Sequence, residues 1–338
     1  MAVSQRPRVD FEGKVIDAHA HVGVSLKAYA LGEYPYAQTV EGLAYRMGAC
    51  GVDAAVVFPY TPELHFRFDA LARGEMVPDD QPVSPAPYAA ENRLLMREVF
   101  DYCPELSDRF LPFVSVDPAR RVERQVRELE ELADAYPVYG IKINPVLCQS
   151  KISGLLGPGE PLLDFAGAHG LPILIHTAPF GGDEYSQTAD VFPVIDARPG
   201  LRFCLAHCIL FHRGYLKRAA AMPNVWVDTA AMKIQVELMT QLFDDGVPRD
   251  EVIDADYSDY RRVMRTLCAA HTETMVWGTD SPAYSYICRR KQAEGTYADF
   301  RYKATYEDEV AALAALPATL RQRVGGSNVL DLIFGETA

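Results

Sequence analysis

Two histidines flank a single alanine in VIDAHAHVG, residues 15 to 23, inside an apolar run. Three further groups of similar chemistry end later apolar runs: His176 in PILIHT, His207 in RFCLAHC and Asp280 in MVWGTDS. Lys142 lies near the end of another, VYGIKIN. Imidazole nitrogens and a carboxylate oxygen are the ligands of an open catalytic zinc-type site, where three or four protein groups hold the ion and one position stays free. With His19 and His21 converging from one strand, His176 and Asp280 complete such a set. Cysteine's absence from it fits a Lewis-acid metal rather than a structural one.

These residues must be positioned by something regular, and the chain supplies it. Eight apolar runs recur: residues 15–22, 54–59, 110–116, 138–144, 172–177, 202–208, 225–230 and 275–281. They are rich in Val, Ile and Phe without strict alternation, as strands buried on both faces are. Helical spacing appears between them, at 90–103 and at 123–136, where Val126, Leu129, Leu132 and Ala133 share a face. Strand and helix alternating eight times predict a (β/α)8 TIM barrel, one domain over 1–338, with an open doubly wound sheet as the alternative. Sites in such barrels form at the C-terminal ends of the strands. Side chains two apart on a strand share a side, so His19 and His21 are expected to look into the barrel mouth and Ala20 away from it.

Composition narrows the partners. The 338 residues are 49% hydrophobic, enough for a large core, and carry a formal net charge of -13. That charge disfavours nucleic acid or an anionic membrane surface and leaves a small molecule as the expected partner. The N-terminal stretch has no apolar signal-like segment, and no window approaches the roughly 18 apolar residues of a membrane span. Seven cysteines without a CxxC pair predict reduced thiols and a cytoplasmic location.

The HxH of the first run, ILIHT, LAHC and WGTDSP, in this order, resemble the amidohydrolase superfamily. The similarity extends to GVDAAVVF, RFLPFVSVDP, GIKINP and GGSNVLDLIFG, and lies closest to the branch that includes aminocarboxymuconate semialdehyde decarboxylase and related hydrolases. The resemblance implies that His19, His21, His176 and Asp280 bind one divalent ion, zinc or alternatively manganese. His207 would then move a proton or polarise the substrate. In a hydrolase, a metal-activated water attacks a lactone, ester or amide carbonyl while Asp280 takes the water's proton. In a non-oxidative decarboxylase, the same residues act on an unsaturated or aromatic carboxylic acid. The semialdehyde decarboxylase carries a carboxylate-binding arginine where this chain aligns Leu43, and Arg46 lies on a neighbouring helical line, which favours hydrolysis. A third reading is a barrel that binds a metal or ligand without turnover.

Lys142 has two readings, a carboxylated bridge between two metals or a cation steering an anionic substrate, and the second is preferred for the single-metal branch. Asp228 in VWVDTA is expected to satisfy backbone donors. Cys208, next to His207 on a strand, should point away and pack. His65 and His212 read as loop residues, and His169 and His271, each before a strand, as structural. The long segments after strands two and eight should form walls of the catalytic face. With Phe180 they offer Tyr60 and Tyr284 to a flat or anionic substrate, unless the tyrosines pack a homodimer interface.

Overall fold

The computed structural model describes residues 5–34, 36–179, 183–242, 248–291 and 297–335. Eight strands run parallel in chain order: β1 (Ile16–Val24), β2 (Ala54–Pro59), β3 (Phe110–Val116), β4 (Gly140–Ile143), β5 (Ile173–Ile175), β6 (Phe203–Leu205), β7 (Val225–Asp228) and β8 (Met275–Val276). A short strand, Ala37–Gln38, pairs antiparallel with the end of β1. The sheet closes where β8 and its continuation meet β1. Ala18 N donates to Trp277 O at 2.9 Å, Asp280 N to His19 O at 2.7 Å and His21 N to Ser281 O at 2.6 Å. The expected single (β/α)8 barrel is therefore present.

Side chains of each strand divide between two cores. One holds Ala54, Val56 and Phe58 of β2 with Leu111, Phe113, Leu174, Cys204 and Val276, and fills the barrel. The other holds Ala55 and Val57 with helix residues such as Leu43, Leu95, Leu129 and Phe165, and is the layer between strands and helices. On β1, Ile16 and Ala18 belong to the inner core but Ala20 and Val22 to the outer one. Strict alternation forbids that switch. It is made by a bulge: Asp17 pairs with Ala55 but Ala20 with Val57, so β1 spends one extra residue there. His19 and His21 face inward because of this bulge, and Asp17 faces outward to the Tyr306 hydroxyl at 3.3 Å.

Two expectations need correction. The segment after β8 is not a plain loop: Tyr286–Lys291 (β9) and Tyr297–Tyr302 (β10) pair as an antiparallel hairpin. The later barrel strands are also shorter than their apolar runs, because only two to four residues each carry ladder hydrogen bonds. His207 and Asp280 consequently lie beyond the strands, both with left-handed backbone at φ 62°.

The segment after β2 is tied down by two carboxylates. Glu63 accepts from Ser25 Oγ at 2.9 Å and from the Lys27 amide at 3.1 Å, while Glu91 accepts from the Leu64 amide at 3.0 Å. Burial, assisted by the Glu63 charge, pushes the Glu91 carboxyl up to about 7. Folding therefore favours the protonated form, and that contribution is complete below about 4.5 and lost as pH rises through about 7. Glu91→Gln is expected to gain stability relative to the parent chain as pH rises through this window in urea titrations; a pH-independent difference would contradict it.

Gly278 sits at the closing seam, where a Cβ would lie 2.7 Å from His19 Cβ and 3.1 Å from His19 N. Gly278→Ala should push β8 off β1 and cost about 1–3 kcal/mol, read as a lower urea midpoint; an unchanged midpoint would show that the seam can relax.

Candidate metal centre

β1 brings two imidazoles to the barrel mouth, packed on Phe58 with ring centroids 5.0 and 4.6 Å away. His19 Nε2 and His21 Nε2 both point at Asp280 Oδ1, at 3.1 and 3.0 Å. Two atoms each about 2.0–2.2 Å from one ion lie no more than about 4.4 Å apart, so these separations suit a shared small divalent ion. The ligand atoms of His19, His207 and Asp280 all fall within 4.8 Å of one another. His21 Nδ1 is buried and has no hydrogen-bond partner among the described residues. Lys142 is 1% exposed, and its Nζ lies 3.1 Å from His19 Nε2 and 4.8 Å from the Phe58 ring centroid. His176 reaches the group through His207, its Nδ1 lying 2.8 Å from His207 Nε2.

The electrostatics suit a cation. Burial and the Lys142 charge pull His19 down, yet the Asp228 and Asp280 carboxylates raise it overall, so the space they enclose favours positive charge. Burial alone would raise Asp280; the neighbouring His19 charge and the hydrogen bonds of His19 and His21 hold it well below the usual carboxylate range. Burial depresses His21 to about 4 and His176 well below its ordinary value, leaving neutral rings with lone pairs to offer. Burial also brings Lys142 down to about 8. A set of neutral imidazoles and an ionised carboxylate fits a divalent ion.

His207 opens an unusual turn. Residues His207 to Phe211 all have positive φ, between 45° and 62°. At roughly 1–2 kcal/mol for each L-residue in that region, the turn costs on the order of 5–10 kcal/mol. Burial of Cys208, Ile209 and Phe211, each 0% exposed, offsets it. Cys208 is thus buried as expected, but by this turn and not by strand alternation.

The remaining sequence candidates divide. Tyr60 lies edge-on to His21, with centroids 4.9 Å apart, and stacks on Tyr36 at 5.6 Å. The Tyr36 hydroxyl donates to Ser285 O at 2.9 Å, joining this wall to the segment that enters the hairpin. Tyr284 is buried, and its hydroxyl receives the Arg46 guanidinium at 3.1 Å; Arg46 also binds Gln38 Oε1 at 2.9 Å. Leu43 is fully buried in the outer core. Phe180 lies outside the described residues. His65 is not an exposed loop residue: it is 2% exposed and its Nδ1 is 2.9 Å from Ser84 O. His212 caps the helix Arg213–Ala220 by accepting from the Tyr215 amide. His169 and His271 end helices on the far side of the strands, as expected.

Sequence reasoning undervalued Asp228. Its Oδ1 does accept backbone donors, from His207 N at 2.9 Å and Ala230 N at 3.0 Å, but its Oδ2 also meets His19 Nδ1 at 2.8 Å. The available signal was an acid ending a fully buried strand.

The sequence pattern of the family described as amidohydrolase matches residues 16–332, from the first residue of β1 into the last helix. The chain belongs to the amidohydrolase family. No curated protein matches the sequence. The fold recurs in a probable 2-pyrone-4,6-dicarboxylic acid hydrolase from Acinetobacter baumannii, with 14% identity and a TM-score of 0.53 over 96% of this chain and 100% of that one. It also recurs in the IDCase of Metarhizium anisopliae, at 15% identity and a TM-score of 0.55 over 96% and 99%. A dihydroorotase from Campylobacter jejuni gives 14% identity and a TM-score of 0.51 over 99% and 88%. Likeness at these identities concerns the fold; membership of the amidohydrolase family supports an enzyme. Among the described residues, no helix is long and apolar enough to cross a membrane.

If this cluster holds the ion, His19→Ala and Asp280→Ala will each lose bound metal while keeping the circular dichroism of the parent chain. Unchanged metal content in either purified variant would refute the assignment.

Proposed function

We propose that this protein is a metal-dependent hydrolase acting on the carbonyl of a small lactone, ester or amide, with one divalent ion held by His19, His21, His176 and Asp280. The observation that carries the reading is the convergence of both β1 imidazoles on one oxygen of Asp280, at 3.0 and 3.1 Å. A bound zinc or manganese ion would supply Lewis acidity, acidifying water and polarising a carbonyl.

The chain's own groups supply the rest. Asp280, held ionised, is placed to accept a proton at the centre. His207, 4% exposed and bonded to His176, stands where its Nε2 can take up a proton and pass it to a leaving group. Lys142 offers a buried cation to an anionic substituent. Tyr60, backed by Tyr36, walls the side next to His21 with a flat aromatic face. The net charge of -13 supports a small molecule rather than nucleic acid or an anionic membrane as partner.

The test is product analysis with the metal-loaded protein on lactones, esters, amides and aromatic carboxylates, beside the variant His207→Ala. The proposal predicts consumption of water, no carbon dioxide, and a loss of turnover of roughly 10²–10⁴-fold in the variant with metal retained. Carbon dioxide release would replace hydrolysis by decarboxylation. Loss of metal from His207→Ala would make His207 a ligand in place of a proton-transfer group.

A further inference from the structure

A histidine ligates a metal through whichever ring nitrogen lacks a proton, and the hydrogen bond at its other nitrogen decides which that is. Three of the centre's histidines have that second nitrogen spoken for, and the partners lead back to one turn. At the end of β7, Asp228 accepts from Ala230 N at 3.0 Å and from His207 N at 2.9 Å through the same Oδ1. Its Oδ2 faces His19 Nδ1 at 2.8 Å. Two backbone N–H groups on Oδ1 favour the carboxylate form of Asp228, which accepts only, so the His19 proton sits on Nδ1 and the lone pair on Nε2, toward Asp280.

The Ala230 peptide, fixed by the same carboxylate, presents its carbonyl oxygen to His207 Nδ1 at 3.2 Å. A carbonyl also accepts only, so His207 carries its proton on Nδ1 and its lone pair on Nε2. That lone pair faces His176 Nδ1 at 2.8 Å, which must then be the donor and leave the His176 lone pair on Nε2. Each ring donates toward the turn, from His176 to His207 to the Ala230 carbonyl, and that direction permits no other assignment of neutral rings.

We propose that Asp228 is the positioning residue of the centre: its carboxylate sets the tautomer of His19 directly, and sets those of His207 and His176 through the Ala230 turn it holds. This rests on the metal reading above. The same Oδ1 contact also anchors the first residue of the left-handed turn His207–Phe211. One side chain therefore joins the geometry of β1, β5 and β6.

The substitution that separates these duties is Asp228→Asn. Its amide oxygen still accepts from His207 N and Ala230 N, so the turn is kept, but an NH2 group now faces His19 Nδ1. Such a donor moves the His19 proton to Nε2, the nitrogen that faces Asp280. Zinc affinity is measured by chelator competition, and ring-nitrogen NMR of histidine-labelled protein reads the tautomers. The expected results are Nδ1–H for His19, His176 and His207 in the zinc-loaded parent chain. In the variant, zinc affinity should fall about 10–100-fold, with His19 alone changing tautomer and thermal melting close to that of the parent. An Nε2–H tautomer at His19 in the zinc-loaded parent, or parental zinc affinity in Asp228→Asn, would overturn the inference while leaving the metal centre standing. A parent chain that takes up no zinc or manganese would remove the metal reading and the inference together. Should Asp228→Asn fail to fold, the tautomers of the parent still decide.

Discussion

One extra residue in β1 decides which way two imidazoles point. Period-two alternation from Ile16 and Ala18, both in the barrel interior, would send His19 and His21 into the strand–helix layer. The register slip between Asp17 and Ala20 reverses that, and the carboxyl of Asp17 leaves the barrel to bond Thr279 and Tyr306. Those contacts hold the bulge from outside, while the seam to Trp277 and Ser281 holds it along the strand. Everything at the mouth is arranged around the two rings so placed.

The centre is also an electrostatic solution. Asp228, Asp280 and Lys142 are 0%, 7% and 1% exposed, and each charge buried alone would cost several kcal/mol, a large part of the usual 5–15 kcal/mol stability of a folded protein. They persist because they face one another through His19: Asp228 at one ring nitrogen, Lys142 and Asp280 at the other. Two carboxylates outweigh the single Lys142 cation among otherwise neutral rings, and that excess negative charge is what a divalent ion completes. The strained turn at His207 is held in the same way, by apolar burial beneath it and by Asp228 at its first amide.

Much of the fold was legible because parallel strands buried on both faces leave apolar runs, and β2 and β3 coincide with theirs. The helix Val122–Ala135 was legible from its spacing. Strand ends were not, since an apolar residue packs equally well just beyond the last ladder bond, as Trp277 does. The bulge left no mark: no glycine lies among Asp17, Ala18, His19 and Ala20. Burial of His65 arises from the segment after β2 folding back so that Ser84 O reaches its ring, a contact 19 residues away that no local pattern records. Asp228 was half legible. Its backbone acceptors are nearby in sequence, but its partner His19 is 209 residues distant.

The central claim is that one divalent ion sits among these groups, and zinc anomalous diffraction from crystals grown with the metal tests it most directly. The account predicts a single strong peak per chain within about 2.0–2.2 Å of His19 Nε2 and an oxygen of Asp280. Two peaks flanking Lys142 would contradict the mononuclear site, and a peak elsewhere, or none, would contradict the centre itself.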